Sequence, residues 1–379
     1  MRDIDTHVPC GYTGENLFLQ HHFFYQRTGM VRYRGKHKTR RTKITDVAER
    51  AGVSISTVSR VISDSPHPVN EKTRMKVLQA AQELDYAPSA LAKAMVTQKS
   101  LIVGVIVGDT MDPFFAAIVR GVEDAARELG YLVIVANSDR KPDLEHRYIK
   151  TLNEYQADGI IFAGGGLKDP EYLENVTKTL EQYQNREAPV ITLGQHLFPS
   201  YVVRVDNAEI IYDAAAHLIA LGHRRIGYID GPGNITTSGF RIVGYEKAMT
   251  EIGGKEVVFP GDYTYESGLR DAELIAEMDP PLTAILASND RMAIGCLNGL
   301  KNRGLRVPED ISLIAVGGIV TTQFISPPLT TIYLPLHEMG VEAMHKLIQI
   351  RSGKLARIGE TIVEHRLILR ESTISNLKR

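Results

Sequence analysis

The chain has 379 residues, of which 43% are hydrophobic and 23% charged, and its formal net charge is −1. This composition excludes a disordered chain and favours two or three globular domains with substantial cores. No apolar run is long enough to span a bilayer, and the two cysteines, Cys10 and Cys296, are too few for a disulfide framework or a multi-cysteine zinc site, which fits a cytoplasmic protein.

Charge is distributed unevenly along the chain. Residues 27–42 contain seven lysines and arginines and no acid, the first hundred residues carry a net charge of +7, and the remaining 279 carry −8. A basic end on an acidic body is typical of a protein that holds a polyanion at one end. Residues 1–42 show no clear helical or strand periodicity and no signal-peptide layout, so we predict a mostly disordered basic tail, with Met30 as an alternative start.

Residues 43–62 carry the pattern of two short helices joined by a tight turn. Gly52 is placed to end the first helix, and Ser54 to cap the second by accepting a backbone hydrogen bond. Apolar residues at helical spacing would pack the helices together: Val47, Ala48 and Ala51 on the first, and Val58, Val61 and Ile62 on the second. The opposite face of the second helix presents Ile55, Ser56, Thr57, Ser59 and Arg60. This pattern predicts a helix-turn-helix that reads DNA, the alternative being an ordinary helical hairpin.

A third helix and a short connecting helix follow. Asn70 is placed to cap a helix from Glu71 to about Asp85. Its inward side chains should be Val77, Leu78, Ala81 and Leu84. Residues 89–96 are rich in alanine and predict a short helix that is unstable alone, which suits a hinge between domains. The expected boundaries are a tail at 1–42, a DNA-binding headpiece at 43–88, a hinge at 89–100 and a core at 101–379.

From Leu101 onward, strands and helices alternate. Residues 101–107 form a continuous apolar run, typical of a strand buried on both faces of a parallel sheet. The alternation restarts after Asp206, and a last strand is expected at about 362–369. We therefore predict an α/β fold: two lobes of doubly wound parallel sheet, with a cleft where the carboxyl ends of the strands face a ligand.

Eight separated motifs carry a resemblance to a known protein family. They are the stretches Asp46–Ile62, Val69–Arg74, Tyr86–Ala92, Asp112–Phe115, Asp158–Ile161, Leu221–Ile226, Ala287–Asp290 and Pro328–Ile332. In these motifs the chain resembles the LacI family of bacterial transcription regulators, over residues 43–379. The resemblance implies an effector-responsive repressor. It would bind a pseudo-palindromic operator in double-stranded DNA as a homodimer. Its core would resemble a periplasmic binding protein and would bind a sugar-like or nucleoside-like effector. No membrane partner is implied.

The resemblance also implies which residues contact DNA. Ile55, Ser56 and Arg60 stand where the family reads bases in the major groove. Positions that contact phosphates are matched by Ser54, Thr57, Ser59, Asn70 and Thr73, although Ser54 and Asn70 can also be simple helix caps. His67 lies near a loop position that touches the operator in some members. Met95 stands where the family inserts a Leu into the minor groove, with plain helix packing as the alternative.

Seven residues match effector-binding positions of the family. They are Phe114, Phe115, Thr237, Arg241, Tyr263, Asn289 and Asp290, of which Thr237 and Asp290 are the weaker matches, with Asp290 alternatively a helix cap. Two positions depart from the family pattern. Gly317-Gly318-Ile319 stands where many members carry a ligand-bonding Asp, and Gly194 stands where some carry a second one.

Two other functions compete with a regulator. A solute-binding protein for a transporter would share the two-lobed core but would need export and no helix-turn-helix. A nucleotide-dependent enzyme is weakly suggested by Ala163-Gly164-Gly165-Gly166, which lacks both GxGxxG spacing and a P-loop lysine. His217, His223, His337 and His345 show no metal-ligand spacing. We therefore predict a protein that is not an enzyme and has no cofactor or metal.

Overall fold

The computed structural model describes residues 42–63, 67–87, 99–184 and 187–377. The chain divides into two compact units, Met1–Pro88 and Ser89–Arg379. The predicted tail up to residue 41 and the predicted hinge helix at 89–96 lie outside the described residues.

Three short helices build the described part of the first unit. They are α1 (Ile44–Ala51), α2 (Ile55–Ile62) and α3 (Glu71–Glu83). Their buried core consists of Val47, Ala48, Val58, Val61, Val77, Ala80 and Ala81. The predicted helix-turn-helix and third helix are therefore present.

The predicted helix ends are confirmed by their hydrogen bonds. Gly52 has φ +66, a left-handed conformation that glycine adopts without strain, and it ends α1. Ser54 Oγ accepts a hydrogen bond from Thr57 N at 3.1 Å, and Asn70 Oδ1 accepts one from Lys72 N at 2.9 Å.

The prediction for Leu78 is wrong, because its side chain is 41% exposed. The buried stripe of α3 runs through Val77, Ala80 and Ala81 and ends beside the partly buried Leu84. Leu78 lies one position, about 100° around the helix, off that stripe.

Two six-stranded sheets form the second unit. The strands are β1 (Ile102–Val107), β2 (Leu132–Asn137), β3 (Gly159–Ala163), β4 (Val190–Leu193), β5 (Tyr201–Arg204), β6 (Ile226–Ile229), β7 (Val257–Phe259), β8 (Ala284–Ala287), β9 (Ser312–Gly317), β10 (Thr330–Tyr333), β11 (Gly359–Ile362) and β12 (Arg366–Ile368). The first sheet has the order β11-β5-β4-β3-β1-β2, and the second has the order β12-β10-β9-β8-β6-β7. Each sheet with its helices is one lobe, so the predicted two-lobed α/β fold is confirmed.

Helices cover the sheets. They are α4 (Pro113–Glu128), α5 (Pro142–Glu154), α6 (Pro170–Gln184), α7 (Asn207–Ala220), α8 (Thr236–Glu251), α9 (Tyr265–Ala276), α10 (Asp290–Asn302) and α11 (Leu336–Arg351), with a short 3₁₀ turn at Val320–Gln323. The chain passes between the lobes at 205–206, 334–335 and 363–365. Three short connections leave the lobes able to rotate about them, as in proteins that close around a ligand.

The strand predicted at about 362–369 is present but shorter, at Arg366–Ile368, and the strand Gly359–Ile362 before it was not predicted. The structure has β11 parallel to β5 in the first sheet and β12 antiparallel to β10 in the second. The segment 363–365 between them is one of the connections between the lobes, so one short stretch of chain contributes a strand to each sheet. Among the described residues no helix is long and apolar enough to cross a membrane.

Candidate functional site

The outward face of α2 carries the residues predicted to read DNA. Ile55 is 49% exposed, and Ser56 and Arg60 are also exposed. Arg60 forms no hydrogen bond or ion pair with any described residue. An exposed apolar side chain, a hydroxyl and an unpaired guanidinium therefore share one short helix.

Most of the predicted phosphate contacts lie around the starts of α2 and α3, and Ser59 lies in the middle of α2. The hydroxyl of Ser54 lies 2.8 Å from those of both Ser56 and Thr57. Ser59 and Thr73 are half-buried, whereas Asn70 and His67 are exposed. Asn70 and Ser54 cap their helices through an oxygen acceptor, so a phosphate contact would use their donors, the Nδ2 amide of Asn70 and the hydroxyl hydrogen of Ser54. Met95 lies outside the described residues.

All seven residues predicted to bind an effector line one cleft between the two lobes. The carboxyl ends of β1, β3 and β4 border it in the first lobe, and the carboxyl end of β9 borders it in the second. The start of α4 also faces the cleft, where Asp112 Oδ1 caps the helix through Phe114 N at 3.0 Å. Parallel sheets bind ligands at this edge because every strand ends there.

Aromatic side chains from both lobes shape the cleft. Phe114 and Phe115 lie edge to face, with ring centroids 5.1 Å apart. Tyr263 of the second lobe has φ +68, a strained conformation for a bulky residue that recurs at functional sites. Its hydroxyl lies 2.9 Å from Ser238 Oγ, which fixes the ring.

Arg241 is buried on the second lobe's side. Its Nε donates to Asn207 Oδ1 at 3.0 Å, and its Nη1 donates to the carbonyl of Ser288. These bonds hold the guanidinium in place while no described carboxylate forms an ion pair with it. Thr237, the last of the predicted set, is half-buried at the start of α8.

Asn289, and not Asp290, caps the helix that follows β8. Asn289 Oδ1 caps α10 by accepting from Met292 N at 2.9 Å, and its Nδ2 donates to the carbonyl of Tyr263 at 3.0 Å. Asp290 is therefore not the helix cap. Its Oδ2 instead accepts from Ile319 N at 2.9 Å, and its Oδ1 accepts from the hydroxyl of Thr331.

Each departure from the family pattern contains a position at which the backbone requires glycine. Gly317 has φ +133, and a Cβ there would collide with the carboxylate of Asp290. Gly194 has φ +137, and a Cβ there would meet the carbonyl of Gly164. The backbone at these points therefore admits only glycine while its neighbours keep their places.

The cleft contains further charged residues that the sequence predictions missed. Arg140, Glu145 and Arg291 all line it, as does His196. The guanidinium of Arg140 lies 5.7 Å from the centre of the Phe115 ring and 5.4 Å from that of Tyr263, so it contacts both lobes. Arg140 lies three residues after the end of β2, and a polar run after a parallel strand is the signal that points to it.

Burial changes the charge state of several cleft residues. Burial raises the pKa of the Glu145 carboxyl to about 6, against hydrogen bonds from Tyr172 and Ser138 that lower it. Burial likewise raises the pKa of Asp290 to about 7, opposed by the backbone of Ile319. Burial lowers the pKa of His196 to about 4, so this imidazole is neutral at pH 7.

Direct contacts join the lobes at the side of the cleft. Leu167 and Ile235 form an isolated antiparallel bridge. The hydroxyl of Thr236 accepts from Gly166 N at 2.9 Å and donates to the carbonyl of Gln195 at 2.6 Å. Asp112 and Arg291 approach to 3.7 Å.

Within the described part of the chain, no three His, Cys, Asp or Glu side chains are grouped so that they could hold a metal ion.

Both units match known families. Residues 43–89 match the bacterial regulatory proteins of the lacI family, and residues 100–371 match the periplasmic binding proteins and sugar binding domain of the LacI family. The HTH-type transcriptional repressor CytR of Escherichia coli K12 is 34% identical over 346 residues, which are 89% of this chain and 98% of that protein.

A second relative and a solved structure agree with this match. The HTH-type transcriptional regulator DegA of Bacillus subtilis 168 is 32% identical over 338 residues, 88% of this chain and 98% of that protein. The crystal structure of the lac repressor dimer bound to operator and the anti-inducer ONPF is 27% identical, with a TM-score of 0.77, and the match covers 88% of this chain and 99% of that one. The relatives and the solved structure are all transcription regulators.

Proposed function

This chain belongs to the LacI family of bacterial regulatory proteins and is a DNA-binding transcriptional regulator, and we propose that it is a dimeric repressor switched by a small molecule in its cleft. One observation carries the proposal: the outward face of α2 and the two-lobed cleft, each with unpaired polar groups, occur in one chain. The first suits contact with DNA, and the second suits a small ligand.

In this proposal, the bases are read by Ile55, Ser56 and Arg60. Arg60 is suited to bind O6 and N7 of guanine through two hydrogen bonds, and Ile55 can contact a thymine methyl. Their exposure supports this assignment, as does the lack of a hydrogen-bond or ion-pair partner for Arg60 among the described residues.

The surrounding polar residues hold the helix in register. Phosphate contacts are assigned to Ser54, Thr57, Ser59, Asn70 and Thr73, with His67 beside them. Such contacts fix the orientation of a reader on DNA without selecting its sequence. The places of most of them around the starts of α2 and α3 support this assignment.

Two copies would bind a pseudo-palindromic operator, because a two-fold symmetric dimer reads two inverted half-sites. Met95 of each copy is assigned to the minor groove at the centre, where an apolar wedge kinks DNA. Because operator binding takes place in the cytoplasm, we assign the protein to that compartment.

The effector is assigned to the cleft. Phe114, Phe115 and Tyr263 would contact its apolar faces. Thr237, Arg241 and Asn289 would bind its polar groups. Asp290, which is buried and bonded to Ile319 and Thr331, would act by holding the 317–319 segment in place. A sugar-like or nucleoside-like molecule fits such a mixture of rings and donors.

Binding would change DNA affinity through the connections between the lobes. A ligand that contacts both lobes stabilises one of their relative arrangements, and a coupling of about 1–3 kcal/mol between two sites is typical. The same reasoning predicts binding without turnover, so the protein would not be an enzyme.

The test uses the full chain in two parallel measurements. Sugars, nucleosides and small acids are screened for compounds that raise the melting temperature, since a ligand of the native state stabilises it. Fragmented genomic DNA is screened for fragments that the chain retains. We expect at least one fragment to be retained and released when a compound found in the first screen is added. Retention of no fragment, or of all fragments equally, would contradict the proposal.

A further inference from the structure

Positively charged side chains dominate the ionisable lining of the cleft. Four arginines line it: Arg140, Arg204, Arg241 and Arg291. Three carboxyl groups face them, those of Asp112, Glu145 and Asp290. Whether this arrangement favours an anionic ligand depends on which of these charges are already neutralised within the protein.

Two of the arginines have carboxylate partners. Arg204 Nε lies 3.0 Å from Glu360 Oε2, and Arg204 Nη1 lies 3.8 Å from Asp206 Oδ2. Arg291 Nη1 lies 3.7 Å from Asp112 Oδ2. These pairs leave little net charge for a ligand.

Among the described residues, Arg140 and Arg241 have no carboxylate within ion-pair distance, although the charge of Asp230 acts on Arg241. Arg241 donates to an amide oxygen and a backbone carbonyl, both uncharged. The guanidinium of Arg140 forms no hydrogen bond or ion pair with a described residue, and its contacts are with the rings of Phe115 and Tyr263. Contact through the π face leaves the N–H donors in the plane of the guanidinium free.

The remaining carboxyl groups do not restore the balance. Burial raises the pKa of Glu145 to about 6 and that of Asp290 to about 7, so each is partly protonated near neutral pH. Tyr172 donates to Glu145, and Ile319 N and Thr331 donate to Asp290. Both carboxyl groups are therefore already bonded within the protein.

We propose that the effector carries an acidic group, a carboxylate or a phosphate, and that Arg140 binds it with its free donors while Phe115 and Tyr263 hold the guanidinium in place. This inference rests on the proposed function, since it names the class of molecule that the cleft receives. A guanidinium binds both acids through paired N–H donors that match their oxygens. Because Arg140 contacts a ring from each lobe, a ligand bound to it lies where the lobes meet.

Matched neutral and acidic compounds test the inference on the full chain. The sets are ribose with ribose 5-phosphate, glucose with gluconate and glucose 6-phosphate, cytidine with its 5′-monophosphate, and adenosine with its 5′-monophosphate. Melting temperatures identify binders, and calorimetric titration measures their Kd. We expect an acidic member of one set to bind at least about tenfold more tightly than its neutral parent. The gluconate and phosphate arms distinguish the two kinds of acid.

Three variants locate the effect at Arg140. We expect Arg140→Gln, which removes the charge, to weaken the acidic compound about 10- to 100-fold and to leave the neutral parent within threefold. Arg140→Lys keeps the charge without the paired donors and should lose less. Arg147→Gln is the control, since Arg147 is exposed on α5 and does not line the cleft. The melting temperature of each variant without ligand reports whether it is folded.

Three results would overturn the inference: equal affinity for neutral and acidic members, binding by no acidic member, or an unchanged Kd in Arg140→Gln. If neutral compounds bind and the chain still retains specific DNA fragments, this inference fails while the proposed function stands. If no DNA fragment is retained, the proposed function itself fails.

Discussion

Asp112 in the first lobe and Arg291 in the second approach to 3.7 Å across the cleft. Asp112 Oδ1 caps α4 at the same time, so its two oxygens serve different elements. The pair links the start of a helix on one wall to a helix on the other wall. This ion pair therefore contributes to the stability of the contact between the lobes when no ligand is bound.

A double-mutant cycle measures that contribution. Asp112→Asn keeps an oxygen for the cap, and Arg291→Gln keeps most of the side chain, so both remove mainly charge. Because Arg291 is a third exposed, we expect each variant to lower the free energy of unfolding by about 1 kcal/mol or less. The double variant should lose little more than either single one in urea denaturation. Fully additive losses would mean that the two charges do not interact.

The buried carboxyl of Asp290 predicts a pH-dependent stability. Burial raises its pKa to about 7, above the ordinary value of 3.8, so the folded chain holds a proton that the unfolded chain releases. The free energy of unfolding should therefore fall as pH rises from about 4 to about 7, by at most about 4 kcal/mol. Urea denaturation across this range measures the change.

Asp290→Asn is the matched variant, because its amide oxygen can still accept a hydrogen bond and its charge does not change with pH. We expect it to be more stable than the parent by an amount that grows as pH rises through this window. Glu145, whose pKa is raised to about 6, titrates in both the parent and the variant, so its effect cancels when their free energies of unfolding are subtracted. Parallel pH profiles for the two proteins would show that Asp290 is not the group responsible.

Substitutions at Ile55 and Val58 of α2 should affect different properties, DNA binding and stability respectively. Ile55 is 49% exposed, whereas Val58 is fully buried in the headpiece core. Ile55→Ala should change headpiece stability by no more than about 0.5 kcal/mol and still weaken binding to a DNA fragment that the full chain retains. Val58→Ala should lower stability by roughly 1–3 kcal/mol. Circular-dichroism melting and fluorescence anisotropy measure the two effects. Unchanged DNA binding in Ile55→Ala would remove this residue from the reading surface.

Local rules were sufficient for the helix-turn-helix and for most of the alternating strands and helices, but they did not predict β5, β10 or β11. Gly52, Ser54 and Asn70 are residues whose preferred backbone conformations and hydrogen bonds are the same in most proteins. The alternation from Leu101 follows from burial on both faces of a parallel sheet. Leu78 shows where such rules lose precision, since a shift of one residue turns a helical side chain by about 100°.

The parts that sequence did not predict depend on contacts between distant segments. The run at 359–368 divides between two sheets because it pairs with β5 on one side and β10 on the other. Asp290 is bonded to Ile319 and Thr331, which are 29 and 41 residues away. Glu145 has the sequence context of a solvated acid in the first turn of a helix, and its burial arises from Tyr172 of another helix.

The most direct measurement is selection of DNA by the full chain from a random library, repeated with Arg60→Ala. We expect the parent to enrich a pseudo-palindromic sequence. In the variant, one symmetric pair of positions should lose its preference for guanine, and affinity should fall by about 1–3 kcal/mol per half-site. Enrichment of no sequence by the parent, or of the same sequence with the same preferences by Arg60→Ala, would contradict the assignment of α2 as the helix that reads DNA.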